Sequence, residues 1–267
     1  MTKMPLPLSF KYDFVLPIGH FCATAMYLKR WHIRTMSLPF DWIGREPNGL
    51  AVAARLICDG FRGFLEKSAL EPRPNRHRPD VDDRETDYYL DRGTGMLVYH
   101  DFPTGVPLDE SYPAVRAKYD RRIARMYRLL EAAKSVLLVY HTPMEHPSDE
   151  EMAQQLAKVR ARFADKRIGL LVIEEKAGLD DVEVRNPSDG VCHVRCCLYA
   201  RTKDRVMGEL AVGDRVYSMI RCRGVWWNRL RPRLFRAWGN FVSAFCVGRE
   251  ARHRLREKFR QRHHLGE

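Results

Sequence analysis

Continuous apolar runs alternate in this chain with stretches whose apolar residues recur every three or four positions. Tyr12–Ile18 is the first run and ends in Gly19, a short buried strand weakened at its end by Pro17. Beyond Cys22 the period changes, and Ala23, Met26, Tyr27, Arg30 and Trp31 recur as on one face of a helix. Ser37–Ile43 reads as a compact aromatic loop. Leu50–Leu65 reads as a second helix, with Val52, Leu56, Ile57, Phe61 and Phe64 inward. Glu71–Asp87 is rich in proline and charge and lacks a period, which predicts a surface loop. Asp87–Leu90 and Met96–His100 flank a glycine-containing turn and predict a hairpin. Tyr112–Ala133 predicts a long helix, with Val115, Tyr119, Ile123, Met126 and Leu130 inward and a basic outer face. Ser135–Tyr140, Ile168–Ile173 and Val191–Tyr199 predict further buried strands. Between the first two, Asp149–Ala164 predicts a helix started by Ser148, with Glu151 three residues on as in a capping box.

Strands separated by helices of roughly 12–20 residues are the signature of βαβ units. The expected fold is α/β, a mostly parallel central sheet flanked by helices in three layers, of Rossmann or SGNH type. No internal repeat or low-complexity tract divides it. Residues 1–215 are expected to form this domain, and residues 216–267 a basic, helical, Arg/Trp-rich C-terminal extension.

Charge sharpens that division. The chain carries 46 Lys+Arg against 34 Asp+Glu, a formal +12. Residues 215–267 hold 13 arginines and Lys258 against Glu250, Glu257 and Glu267, a net +11, so the first 214 residues are net +1. Trp226, Trp227, Leu230, Leu234, Trp238, Phe241 and Phe245 recur at three to four residues with arginines between them, although Pro232 interrupts the pattern and moves the better helix to about Arg233. Ala251–His264 adds a mostly basic helix. Aromatic anchors with arginine flanks suit an anionic membrane interface, so residues 226–262 are a candidate for peripheral membrane contact. The competing readings are a stripe packed on the α/β body and, without any fold signature to support it, nucleic-acid binding. No run approaches the ~18–20 apolar residues needed to span a bilayer, and the N-terminus lacks the apolar region of a signal peptide. Seven widely spaced cysteines, an odd number, predict free thiols in a reducing setting. The expected location is cytoplasmic, peripheral to the inner membrane if the basic end docks there.

In open parallel sheets ligands bind beyond the carboxyl ends of the strands. The predicted strands deliver Gly19-His20-Phe21-Cys22, His100-Asp101, His141-Thr142 and Glu174-Glu175 there. That inventory suits a nucleophile with a base and an orienting group. Cys22 stands where a strand turns into a helix, so the N–H groups of the first turn would favour its thiolate and could hold an oxyanion. A small buried residue in a tight turn would look the same in sequence. His100 and His141 compete as base. The irregular loop after His141 also suits an imidazole that is merely polar surface. Asp101 neighbours His100 and in extended chain points to the other side. Asp41, in Pro39-Phe-Asp-Trp42, is either an orienting carboxylate or a turn former bonded to backbone. His20, His141 and Trp42 are the candidates for substrate contact. Cys192-His193-Val-Arg-Cys196-Cys197 lacks the paired spacing of structural zinc, and neither a metal nor a cofactor is expected. The substrate would be a small molecule, a glycan or a peptide.

Several of these residues fall into one ordered motif. Leu16-Pro-Ile-Gly-His-Phe-Cys22-Ala-Thr-Ala25, Leu28, Arg34 and Ser37-Leu-Pro-Phe-Asp-Trp-Ile43, followed by His100-Asp101-Phe102 and by Tyr112 through Arg125, resemble the DUF1796 family of bacterial proteins, described as papain-like cysteine peptidases. The resemblance covers about residues 12–175, with Pro17 replacing the usual leucine. It implies Cys22 as nucleophile and His100 as base, with Asp41 and Asp101 at the matching acidic positions. It also implies a cysteine-dependent hydrolase, or an acyltransferase. The alternative is a non-catalytic ligand-binding protein of surface-polysaccharide biosynthesis. The strand–Gly–x–x–Cys–helix unit is closer to SGNH-type hydrolases, or to cysteine-containing acyltransferases of capsule biosynthesis, than to papain.

Overall fold

A computed structural model of the chain describes residues 6–19, 22–45, 49–74, 86–143, 145–199, 202, 207–244 and 250. In chain order the elements are α1 (Leu6–Ser9), β1 (Phe14–Pro17), α2 (Cys22–Arg30), β2 (Ile43–Arg45), α3 (Gly49–Asp59), β3 (Leu70–Arg73), β4 (Thr86–Asp91), β5 (Met96–Pro103), α4 (Leu108–Ala132), β6 (Ser135–Thr142), α5 (Asp149–Arg162), β7 (Arg167–Glu175), β8 (Glu183–Arg185), β9 (Val191–Cys196), α6 (Leu210–Ser218) and α7 (Val225–Ala244).

β1, β6, β7 and β9 form a parallel sheet, with β8 added antiparallel at the edge. β6 is buried along its whole length, and all but the ends of β7 are buried. That explains their unbroken apolar runs, since parallel strands are covered on both faces. Side chains alternate between the two covers. Val136, Leu138 and Tyr140 join the core shared with α3, α4 and α5, whereas Leu137 and Val139 join the core shared with α1, α2 and α6. Ser148 caps α5 as its pattern predicts, its Oγ accepting the Glu151 N–H at 3.1 Å.

The strand order β1-β6-β7-β9 runs one way through the parallel strands. A Rossmann- or SGNH-type sheet reverses its strand order, and that reversal makes the ligand crevice. No reversal exists among the described strands. A second sheet, β2-β5-β4-β3, is antiparallel throughout and extends the expected hairpin by a strand on each side. β5 belongs to it, so His100 and Asp101 do not stand at the end of a parallel strand. β3 also corrects the loop expected over 71–87: its Pro72 is tolerated because β3 is an edge strand. Residues 75–85 of that loop lie outside the described residues.

Glycine and proline account for three further boundary differences. α3 stops at Asp59 because Gly60 adopts φ +77°, and Phe61 follows in the left-handed region. α4 begins four residues before Tyr112, with Pro113 inside it. α7 continues through Pro232, which removes one backbone donor without ending the helix. The division expected after residue 215 falls inside α6, whose Val216 and Tyr217 are fully buried, and the core continues to Ile220 and Cys222. Phe245 and the expected basic helix over Ala251–His264 lie outside the described residues. Among the described residues, no helix is long and apolar enough to cross a membrane.

Candidate active site

Cys22 is the first residue of α2, half-buried and in no disulfide. Two contacts fix where it stands. At Gly19 a Cβ would lie 2.7 Å from the His141 nitrogen and 2.8 Å from its carbonyl oxygen, so only glycine lets β1 pass the end of β6. Downstream, Ala23, Tyr27 and Leu28 anchor α2 in the core, and Tyr27 stacks on Tyr217 with ring centroids 4.6 Å apart. The thiol is thereby held at the carboxyl end of the parallel sheet, at a helix N-terminus whose N–H groups have no intrahelical acceptors. His20 lies outside the described residues.

Two phenols lie within electrostatic reach of Cys22. Burial raises the Tyr99 hydroxyl pKa, and the charge of Cys22 adds to the rise; for Tyr199 burial again leads, followed by Tyr217 and Cys22. Tyr199 follows β9. The carboxylate of Glu175 holds that segment by accepting the N–H groups of Leu198 and Tyr199 at 2.9–3.0 Å. Tyr99 comes from the second sheet and marks a break in its register. Asp87 pairs with Phe102 and Tyr89 with Val98, so one β4 residue faces Tyr99, His100 and Asp101 of β5. Such a bulge bends the strand and re-aims its side chains. The Thr86 hydroxyl donates to the Tyr99 carbonyl at 2.6 Å and secures the distorted backbone. Simple alternation at His100 and Asp101 is thereby broken, and the rings of Tyr99 and His100 come within 4.3 Å.

His100 is half-buried, with the Trp42 ring edge-on at 6.0 Å. The loop carrying Trp42 is built around one buried ion pair. Arg34 donates through Nε and Nη2 to Oδ2 of Asp41, at 2.7 and 2.6 Å, and that oxygen also accepts the Leu38 N–H at 2.7 Å. Arg34 reaches the Ser37 hydroxyl at 3.0 Å, and Arg125 of α4 donates to the Ser37 carbonyl at 2.8 Å. Burial pushes the Asp41 carboxyl up, and Arg34 opposes it. The bonds of Asp41 thus hold its own loop, with the guanidinium of Arg34 5.9 Å from the Trp42 ring centre. Asp101 is spent elsewhere. Its side chain accepts from Tyr119 at 2.6 Å and pairs with Lys118, tying β5 to α4.

His141 is interior rather than surface. It is fully buried, its Nδ1 3.1 Å from the Tyr217 hydroxyl. Glu174, expected at a strand end, joins two imidazoles. Glu174 lies 2.8 Å from Nε2 of buried His193 and 2.9 Å from Nδ1 of exposed His146. Arg185 donates to His193 Nδ1 at 2.8 Å, which assigns the ring proton to Nε2 and keeps the ring neutral. Burial, followed among the opposing influences by Arg185, lowers the His193 pKa against the pull of Glu174.

Four other described thiols are less acidic than an ordinary cysteine. Burial pushes Cys192 and Cys196 up to about 12 and Cys222 up to about 11, and raises half-buried Cys58 as well. Among the described residues no three His, Cys, Asp or Glu side chains converge as metal ligands. A cavity of about 340 Å³, lined by Tyr12, Arg160, Arg167, Gly169 and Asp189, opens at the amino ends of the strands, away from Cys22.

The family model described as "Putative papain-like cysteine peptidase (DUF1796)" matches residues 13–175. The chain belongs to the DUF1796 family. The match takes in Cys22, the Arg34–Trp42 loop, the β5 bulge and Glu174; Tyr199, α6 and α7 lie beyond it. Uncharacterized protein R408 of Acanthamoeba polyphaga mimivirus is similar, 28% identical over 134 residues, which cover 46% of this chain and 59% of the relative. The chain thus spans less than two thirds of the length of that relative. No solved structure matches it. Within this DUF1796 chain, Arg34 and Tyr99 were the site residues legible in principle. Arg34 stands inside the motif that carries the resemblance, and Tyr99 adjoins its histidine. Tyr199 had no local signal.

Proposed function

We propose that this DUF1796 protein is a cysteine-dependent hydrolase of acyl compounds, with Cys22 as nucleophile and His100 as general base. The observation that carries the reading is the half-buried Cys22 at the first turn of α2, with Tyr99 within its electrostatic reach and the His100 ring 4.3 Å from the Tyr99 ring. In the proposed reaction His100 takes the thiol proton as the sulfur attacks a carbonyl carbon, and N–H groups of the α2 first turn receive the oxyanion. Collapse of the tetrahedral adduct breaks the bond to the leaving amine or alcohol, which takes the proton from His100. The resulting thioester is then cleaved by water, with His100 again accepting the proton. Trp42 and Tyr99 flank the imidazole and would line the acyl site. Asp41 acts through its loop, as a positioning residue for Trp42. The substrate class is a peptide amide or an acylated glycan or small molecule, and transfer to an acceptor other than water would make the same centre an acyltransferase.

A small activated ester such as p-nitrophenyl acetate tests this reading. The expected outcome is a burst of nitrophenol and an acetyl adduct mapped by mass spectrometry to Cys22. Cys22→Ala should abolish both, and His100→Ala should slow acylation by about 10²–10⁴-fold, the usual worth of a positioned base. Equal rates in wild type and Cys22→Ala would sink the proposal.

A further inference from the structure

α7 leaves three indoles and a leucine outside the body. Trp226 is 71% exposed, Trp227 52%, Leu234 50% and Trp238 58%. This removes the reading in which those four side chains pack on the α/β domain. At 100° per residue, these positions and Leu230 fall on one arc of about 120°. Arginines border the arc on both sides, Arg229 on one and Arg231 on the other, and both are exposed. No Asp or Glu occurs between Arg215 and Glu250, while Arg221, Arg223, Arg229, Arg231, Arg233 and Arg236 all do.

The root of α7 is placed by three hydrogen bonds. Tyr12 donates to the Arg221 carbonyl at 3.0 Å, Arg223 donates to the Tyr12 carbonyl at 2.7 Å, and the Asn228 amide donates to the His32 carbonyl at 2.9 Å. Tyr12 precedes β1 and His32 follows the C-terminus of α2, so α7 is rooted at the amino ends of the parallel strands. Arg160, Lys166 and Arg167 surround the cavity at this same end, with Asp189 offsetting Arg160, Asp165 offsetting Lys166 and Asp13 offsetting Arg223. Cys22 stands at the other end of the sheet.

We infer that α7 is a membrane-docking helix that lies on an anionic lipid bilayer. The occupant follows from charge and side-chain chemistry. Indole rings favour the headgroup boundary, and the flanking guanidinium groups meet lipid phosphates. A second copy of this chain on the same face would bring arginine rows together without acids between them. A duplex nucleic acid would use the arginines and leave the indoles in water. Docking through α7 brings the basic amino-end face to the lipid and leaves Cys22 on the opposite side. The inference rests on exposure and charge, independently of the chemistry proposed at Cys22.

Vesicle co-sedimentation of the full chain tests it, comparing phosphatidylcholine vesicles with vesicles containing phosphatidylglycerol. Binding is expected to the anionic vesicles, with a blue shift of tryptophan emission and at least a tenfold fall in partitioning when salt is raised from 0.05 to 0.5 M. The triple substitution Trp226→Ser, Trp227→Ser and Trp238→Ser removes only exposed side chains and should lower partitioning at least tenfold, with unchanged circular dichroism. Failure to bind anionic vesicles would overturn the inference, as would binding that the triple variant retains in full. A wild-type dimer that the triple variant converts to monomer, without vesicle binding, would assign the face to self-association instead. Retention on duplex nucleic acid without vesicle binding would assign it to nucleic acid.

Discussion

Cys22 differs from the other described cysteines in where its sulfur stands. Cys192, Cys196 and Cys222 are enclosed in the core, and burial holds their thiols protonated. Cys58 is half-buried too, but lies within α3, away from any helix N-terminus, and burial raises it. Cys22 alone combines partial exposure with the start of a helix and neighbouring phenols. A different residue-scale dependence lies in the Arg34–Asp41 pair, whose side chains are both almost wholly enclosed. Removing one partner from such a pair strands the other charge and costs about 3–5 kcal/mol. Arg34→Met should therefore lower the unfolding free energy by about that amount, measured by denaturant titration, and should also weaken the hold on Trp42. Asp41→Asn should lose less, because an amide carbonyl can still accept from Arg34 and Leu38.

At the scale of elements, the glycine contact between β1 and β6 sets where α2 and Cys22 begin, and the β5 bulge sets the Tyr99–His100 pair. Gly19→Ala would drive a methyl group into the His141 backbone, which cannot yield as a flexible side chain would. Overpacking of this kind costs about 1–3 kcal/mol, and the variant should also lose Cys22 reactivity because α2 must shift. Both are measurable on one sample, by thermal melting and by thiol modification. The His193–Glu174 contact adds a pH dependence. His193 has a folded pKa below its unfolded value of 6.5. The unfolded chain therefore binds more protons between the two values, and stability falls as pH drops below about 6.5. His193→Gln, which keeps a donor toward Glu174, should flatten the stability profile between pH 7 and pH 5 relative to wild type. The strands of this sheet were legible because β6 and β7 are covered on both faces and read as unbroken apolar runs. β5 was legible as a strand and not as a member of the other sheet. Its half-buried pattern and the polar Tyr-His-Asp segment carried that signal, but antiparallel partners are set by tertiary contacts. Nothing local announces the bulge, which exists only as a mismatch between β4 and β5.

For the whole molecule, charge and candidate chemistry occupy opposite ends. The carboxyl ends of the parallel strands carry Cys22 at the start of α2. The amino ends carry Arg160, Lys166 and Arg167 and the root of α7. The charge distribution along the sequence marks residues 215–267 as basic but does not say whether their aromatic residues are covered, because helical period alone does not tell a packed face from a bare one. The central claim concerns the other end, and the pH dependence of thiol modification reaches it most directly. The native protein would be treated with iodoacetamide from pH 5 to 10 and the rate at each cysteine followed by peptide mass spectrometry. The account predicts that Cys22 reacts at pH 7 at least tenfold faster than Cys58, with a midpoint below the ordinary thiol value of about 8.5, and that His100→Ala removes most of that lead. A Cys22 that reacts no faster than Cys58 at pH 7, with a midpoint at or above that of an ordinary thiol, would contradict it.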